Sequence, residues 1–376
     1  MDYNLDYFKF NKIKIPNDLI KNLDNIFIDF NNSKIENLKI IDENINNSIE
    51  TNHFLTDKIK QNIKKLKKFK QITFYIKNTK VLNTKVLNTK VLNTKVLNTK
   101  VLLNLYFNKI SKKKINDLIN IINFSITTFS KLNNYRNNVR LDIYYCNLRK
   151  FIKINKKNQL VPNNINSGFT TFFAEKDDDY CVIYRQEELH KVIIHELIHL
   201  YRFHNFKIKN PLINEFIKIK MQLDISEAYT ETFATILYTY YYSKLNNQDF
   251  NKLMNEQFNF SLLQSAKILY NQNINKLEYP ININETTNTV SYFILKSAIF
   301  NNFKLFGEMF NFNLINLDKN NIYLNEKNKV LTFNENLIKS IKNKNFVKYI
   351  NNYLILLKNN KINKNLLNTF RMNILD

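Results

Sequence analysis

Five histidines occur in this 376-residue chain, and four of them fall at positions 190, 195, 199 and 204. The bulk of the sequence is Asn, Ile, Lys, Tyr and Phe, a composition that does not cluster histidine. Two of the four bracket a glutamate in the string His195-Glu196-Leu197-Ile198-His199. Positions four apart on a helix lie one turn apart on one face, so both imidazoles can grip a single ion. Glu196 is rotated by about 100° from His195, which puts its carboxylate beside such an ion rather than on it. There it can take a proton from an activated water and later return it to a leaving amine. Val192, Ile193, Ile194, Leu197, Ile198 and Leu200 surround these polar residues. The pattern predicts a helix from about Glu187 to Phe203, buried on most sides, with the histidine face open to a cleft.

A catalytic zinc needs a third protein ligand and one open position. Glu227-Ala228-Tyr229-Thr230-Glu231 follows downstream, with its two carboxylates at i and i+4 of a predicted helix. In this pairing the chain resembles the gluzincin branch of the zincin metallopeptidases, where an HExxH helix precedes a helix bearing a glutamate ligand. The resemblance implies zinc as cofactor, held by His195, His199 and Glu227. It further implies Glu231 as the carboxylate that orients His195, Glu196 as general base and then acid, and a protein or peptide as substrate. Asp224 and Glu215 are weaker alternatives for the third ligand. The metzincin pattern HExxHxxGxxH fails, because Arg202 and Asn205 stand where glycine and histidine are required. His204 comes one residue early and, on a continued helix, points about 140° away from His199. His190 reads as a surface or supporting residue. Zincins also carry a side chain that stabilises the oxyanion. Tyr292 is the candidate and Tyr229 a weaker one, although an ordinary core aromatic is the commoner role for either. In zincins an antiparallel edge strand pairs with the substrate backbone, and Asn166–Thr170 or Asp179–Arg185 can supply it. Gly168, one of only two glycines, permits either a close backbone approach or a bulge.

The elements that must position these residues are legible in part. Alternation predicts a strand over Val139–Tyr145, with further strands over Ser167–Phe173 and Asp179–Tyr184. Helical spacing runs from Ile115 to Leu132 and then over about 213–223, 225–245, 249–271, 286–304 and 346–358, with short strands near 321–333. Strands first and helices after imply an α+β fold, a small mixed or antiparallel sheet with an active-site helix followed by a mainly helical lobe. A perfect repeat, Asn78-Thr79-Lys80-Val81-Leu82, recurs five times through Leu102. Its period of five matches neither helix nor strand, so it reads as a spacer without chemistry. The expected divisions are an N-terminal α/β region (1–77), the repeat (78–102), a zincin-like domain (103–310) and a mainly helical extension (311–376).

The net charge of +24 would ordinarily suggest nucleic acid or an acidic surface as partner. Here the lysines are dispersed along the chain and no nucleic-acid motif accompanies them, so codon bias of an AT-rich genome is the favoured reading. In this respect, and in its short repeat, the sequence is similar to proteins of large DNA viruses. The two cysteines offer neither a disulfide framework nor metal-ligand spacing. No secretory signal or transmembrane run is recognisable, which predicts an intracellular, cytoplasmic protein, in the host cytoplasm or virion if viral. A non-catalytic zincin-like protein that binds a partner peptide is the rival expectation. A basic nucleic-acid scaffold with structural zinc is disfavoured, since no fourth ligand is apparent.

Overall fold

The computed structural model describes residues 11–45, 55–86, 89–132, 135–152, 159–173, 175, 178–203, 211–220, 223–303 and 322–375, with backbone alone for 78–97, 211–212 and 322–331. In chain order the elements begin with α1 (Asn17–Asn32), β1 (Lys34–Asn44), α2 (Asp57–Ile63), β2 (Lys68–Val86), β3 (Thr89–Phe107), α3 (Lys112–Lys131) and β4 (Asn138–Tyr144). There follow α4 (Pro162–Ile165), β5 (Gly168–Thr171), β6 (Tyr180–Ile183), α5 (Leu189–Leu200), α6 (Pro211–Phe216), β7 (Ile217–Ile219), α7 (Ile225–Leu245) and α8 (Phe250–Asn271). After β8 (Ile281–Ile283), a π turn over Ser291–Leu295 runs directly into α9 (Lys296–Asn301). The last elements are α10 (Ile322–Ile341), α11 (Lys344–Lys358) and α12 (Lys364–Asn368). The chain forms two compact units, one of residues 21–148 and 167–202, the other of 1–20, 149–166 and 203–376. No helix among the described residues is long and apolar enough to cross a membrane.

The first unit is built on a six-stranded sheet in the order β1-β2-β3-β4-β6-β5. Pairings β1/β2, β2/β3 and β5/β6 are antiparallel, whereas β3/β4 and β4/β6 are parallel. The sheet is therefore mixed, and the three expected strands are β4, β5 and β6. Alternate residues of four strands point to one face and are buried there: Ile72, Phe74 and Ile76; Val101, Leu103 and Leu105; Val139, Leu141 and Ile143; Cys181 and Ile183. Helices α3 and α5 pack together on the sheet, α3 against β2 and α5 against β5 and β6. Helix α3 starts where the Ser111 hydroxyl accepts from the Lys114 N–H at 3.2 Å. On the opposite face, Ile59 and Ile63 of α2 cluster with Tyr144, Val182 and Tyr184.

The NTKVL repeat does not interrupt this sheet. Its residues make up the distal part of the β2–β3 hairpin, in register from Asn78 opposite Leu97 to Val86 opposite Thr89. β1 pairs with β2 only as far as Lys77, and β4 pairs with β3 only from Lys100 onward. Beyond those limits the two repeat-bearing strands have each other as sheet neighbours. The β-branched Val and Thr in every unit favour extended backbone, which period counting alone does not register.

The second unit is mainly helical, with α7, α8 and α9 packed together and α11 against α8. Two expectations change here. The helix expected over 213–223 ends at Phe216, and the chain continues as β7, which pairs in parallel with β8. The short strands expected near 321–333 are replaced by α10, whose buried Phe333, Leu337 and Ile341 stand four apart on one helical face. In both segments periodicity alone does not separate helix from strand.

Candidate metal centre

Helix α5 is apolar on nearly every side, and the sequence buries it accordingly. The expected cleft-facing surface is small, with His195 8 %, Glu196 4 % and His199 9 % exposed. The helix begins after Glu188, whose φ of 58° turns the chain from β6 into α5. It ends at a buried ion network that sequence reading missed. Arg136 donates to the Leu200 carbonyl and, at 3.1 Å, to Asp179, and Arg202 reaches the same Asp179 oxygen at 2.9 Å. The other Asp179 oxygen accepts from the Phe173 N–H at 2.7 Å. Positive charge at a helix C-terminus complements its dipole, so this network fixes the end of α5 where the second histidine sits one residue before Leu200. Its only trace in the sequence was Arg202, noticed there for not being glycine.

The two histidines turn toward each other as the i, i+4 spacing requires. Their Nε2 atoms are 3.0 Å apart and their rings meet edge to face. Two donors on one tetrahedral ion at about 2.0–2.1 Å stand roughly 3.3 Å apart, so the pair is close to a ligating separation. His195, His199 and Glu227 together form a group able to hold a metal ion, with one ligand atom from each and all of these within 4.8 Å of one another. Two imidazoles and a carboxylate make a mixed N/O donor set, of the kind that takes zinc, iron, copper or nickel. Three protein donors leave a coordination position open.

Glu196 is held by the neighbouring strand. The Thr170 hydroxyl of β5 lies 3.0 Å from Glu196 Oε2 and 3.1 Å from the Glu196 carbonyl. One hydroxyl proton serves one acceptor at a time. The Cys181 thiol also donates to that carbonyl, at 3.5 Å. Gly168 makes room for this arrangement. A Cβ there would stand 2.7 Å from the Val182 carbonyl oxygen and 2.9 Å from Glu196 Oε1. Gly168 has no positive φ, so its role is close approach and not an unusual backbone conformation. β5 lies at the edge of the sheet, antiparallel to β6. The Tyr184 N–H bonds Ser167 O at 2.9 Å. By the alternation of antiparallel ladders, the backbone groups of Gly168 and Thr170 then point away from β6.

Glu227 and Glu231 lie one turn apart on α7. That helix is capped by Asp224, whose carboxylate accepts from the Ser226 N–H at 2.9 Å. Asp224 is thus a cap, and the alternative Glu215 is exposed on α6. Glu231 is fully buried and ion-paired with Lys296 at 3.2 Å. Tyr292 is buried in the π turn, 8 % exposed, and Tyr229 lies in the core of the second unit. His190 is paired with the Lys114 ammonium, Nε2 to Nζ 3.1 Å. Burial first and the Lys114 charge second lower its pKa to about 4, so it is neutral and serves α3–α5 packing. His204 lies outside the described residues. Both cysteines are free and buried. Comparison with protein-family models, with curated proteins and with solved structures yields no match.

Proposed function

We propose that this chain is a zinc-dependent metallopeptidase, of zincin-like and specifically gluzincin-like design. The reading is carried by one observation: His195, His199 and Glu227 bring three ligand atoms together within 4.8 Å. A zinc ion in this set supplies Lewis acidity, polarising a substrate carbonyl and acidifying water. The protein's own part follows from the side chains around it. Glu196, adjacent to a ligand but pointing to β5, receives a proton at its carboxylate and delivers it to the leaving amine. The Thr170 hydroxyl keeps that carboxylate in one rotamer, and Gly168 keeps the strand close enough to do so. The outward backbone groups of Gly168 and Thr170 suit an extended peptide added along the β5 edge. Glu231 is proposed to orient His195, and Tyr292 is the proposed donor to the oxyanion.

Metal analysis combined with peptide-library cleavage tests the reading. The wild type is expected to carry about one zinc per chain and to cleave, His199→Ala to lose the metal, and Glu196→Gln to keep zinc while losing on the order of 10²–10⁴-fold in turnover. Bound zinc without any Glu196-dependent cleavage would replace this reading with that of a non-catalytic peptide-binding protein.

A further inference from the structure

Lys296 is a lysine with no exposed surface, to which the proposed chemistry assigns no part. Its ammonium donates to Glu231 Oε1 at 3.2 Å and to the Met372 carbonyl at 2.7 Å. Burying an ammonium is costly unless it is paired and hydrogen-bonded, so a lysine here marks a position where a charge is needed. The backbone around it is also specialised. The Lys296 N–H bonds back to the Ser291 carbonyl, five residues earlier, and this bond closes the π turn. One extra residue in a helical turn rotates everything after it by about 100° relative to a regular helix. The π turn therefore sets which way Lys296 faces, and such turns recur at functional sites.

The second partner of Lys296 belongs to a segment threaded through the core of the same unit. After α12 the chain continues without regular structure, bending at Met372 and Ile374, with Phe370 and Asn373 fully buried. Phe370 stacks on Phe293 of the π turn at 4.8 Å. Gln264 of α8 donates to the Arg371 carbonyl at 2.8 Å, and Gln257 accepts from the Ile374 N–H at 3.3 Å. Lys267 donates to the Leu366 carbonyl at 2.8 Å and also to that of Thr369. The segment is thus anchored on both sides of Met372, and Lys296 ties that rigid point to Glu231. Glu231 stands one turn from Glu227 on α7, on the same face.

We infer that Lys296 is a positioning residue for the metal centre: by joining Glu231 to the 366–374 strap, it sets the rotation of α7 and the place of Glu227. This rests on the zinc reading proposed above. Zinc affinity, by competition with a chromophoric chelator, and the visible spectrum of the cobalt-substituted protein test it. Lys296→Met is expected to weaken zinc binding by on the order of 10–100-fold and to alter the cobalt spectrum, as loss of a group supporting a ligand does. Glu231→Gln should weaken it comparably, and the double variant no further than Glu231→Gln alone. Lys296→Met by itself takes the paired ammonium away from a buried carboxylate and risks unfolding. The double variant removes both charges, a change that folds commonly tolerate, and so keeps the test decisive. A folded double variant with the parental zinc affinity and cobalt spectrum would overturn the inference while leaving the zinc reading intact. A wild type that binds no stoichiometric zinc would overturn both.

Discussion

At the scale of residues, the candidate chemistry depends on how little space surrounds Glu196. Its carboxylate sits against β5, bonded by the Thr170 hydroxyl and admitted by one missing side chain. Gly168→Ala brings a methyl group within 3 Å of the Val182 carbonyl oxygen and of Glu196 Oε1. The strand must move away, because a backbone carbonyl cannot swing aside as a long side chain can. The expected cost is about 1–3 kcal/mol of stability, measured by denaturant midpoint. Any Glu196-dependent turnover is expected to fall further than that loss of folded protein explains. Glycine at 168 was conspicuous in a chain containing two. That its neighbour would be the Glu196 carboxylate was not readable, since the contact joins residues 28 positions apart.

At the scale of elements, helix ends decide more than helix middles. The Arg136–Asp179–Arg202 network closes α5, Asp224 opens α7, and Glu285 opens the π turn by accepting from the Val290 N–H at 3.0 Å. Glu285 is buried, and burial raises its pKa to about 7 despite the opposing Val290 bond. The folded state then holds a proton that the unfolded state has lost between about pH 4.5 and about pH 7. Stability therefore falls as pH rises through that window and is level above it, by about 3 kcal/mol in all. Glu285→Gln keeps an acceptor for Val290 and removes the titration. Urea midpoints measured from pH 4.5 to 8 are expected to show a flatter profile for the variant and greater stability than wild type at the alkaline end.

At the scale of the whole molecule, the repeat is the feature whose role the fold changed most. It is built into the sheet hairpin, yet its outer units pair only within that hairpin. Deleting residues 78–82 and 93–97 removes one unit from each strand. Lys77 stays opposite Asn98 and Val86 opposite Thr89, so every remaining pair keeps its register. This variant is expected to fold with the proposed zinc affinity unchanged and stability within about 1 kcal/mol of wild type, as measured by thermal melting with and without zinc. A single-unit deletion takes an odd number of residues from the hairpin, so the two-residue connection between Val86 and Thr89 cannot be retained with the base register intact.

The sequence alone determined the local half of this protein. Helical and strand periodicities located β4, β5, β6, α3, α5, α7 and α8, because each buries one predictable set of side chains. The His195-Glu196-His199 spacing carried its own geometry, since one helical turn brings i and i+4 together whatever surrounds it. Glu227 entered only through a family resemblance, and its place near the histidines came from the folded chain. Tertiary structure alone decided that 217–219 extends as a strand, that 322–341 is a helix and that the repeat lies in the sheet. It likewise decided the burial of the site, the Thr170 and Gly168 seat for Glu196, the Arg136–Asp179–Arg202 closure and the Lys296 link. All of these depend on pairings between residues far apart in the chain, and on the loss of water around charges that a sequence shows only as charges.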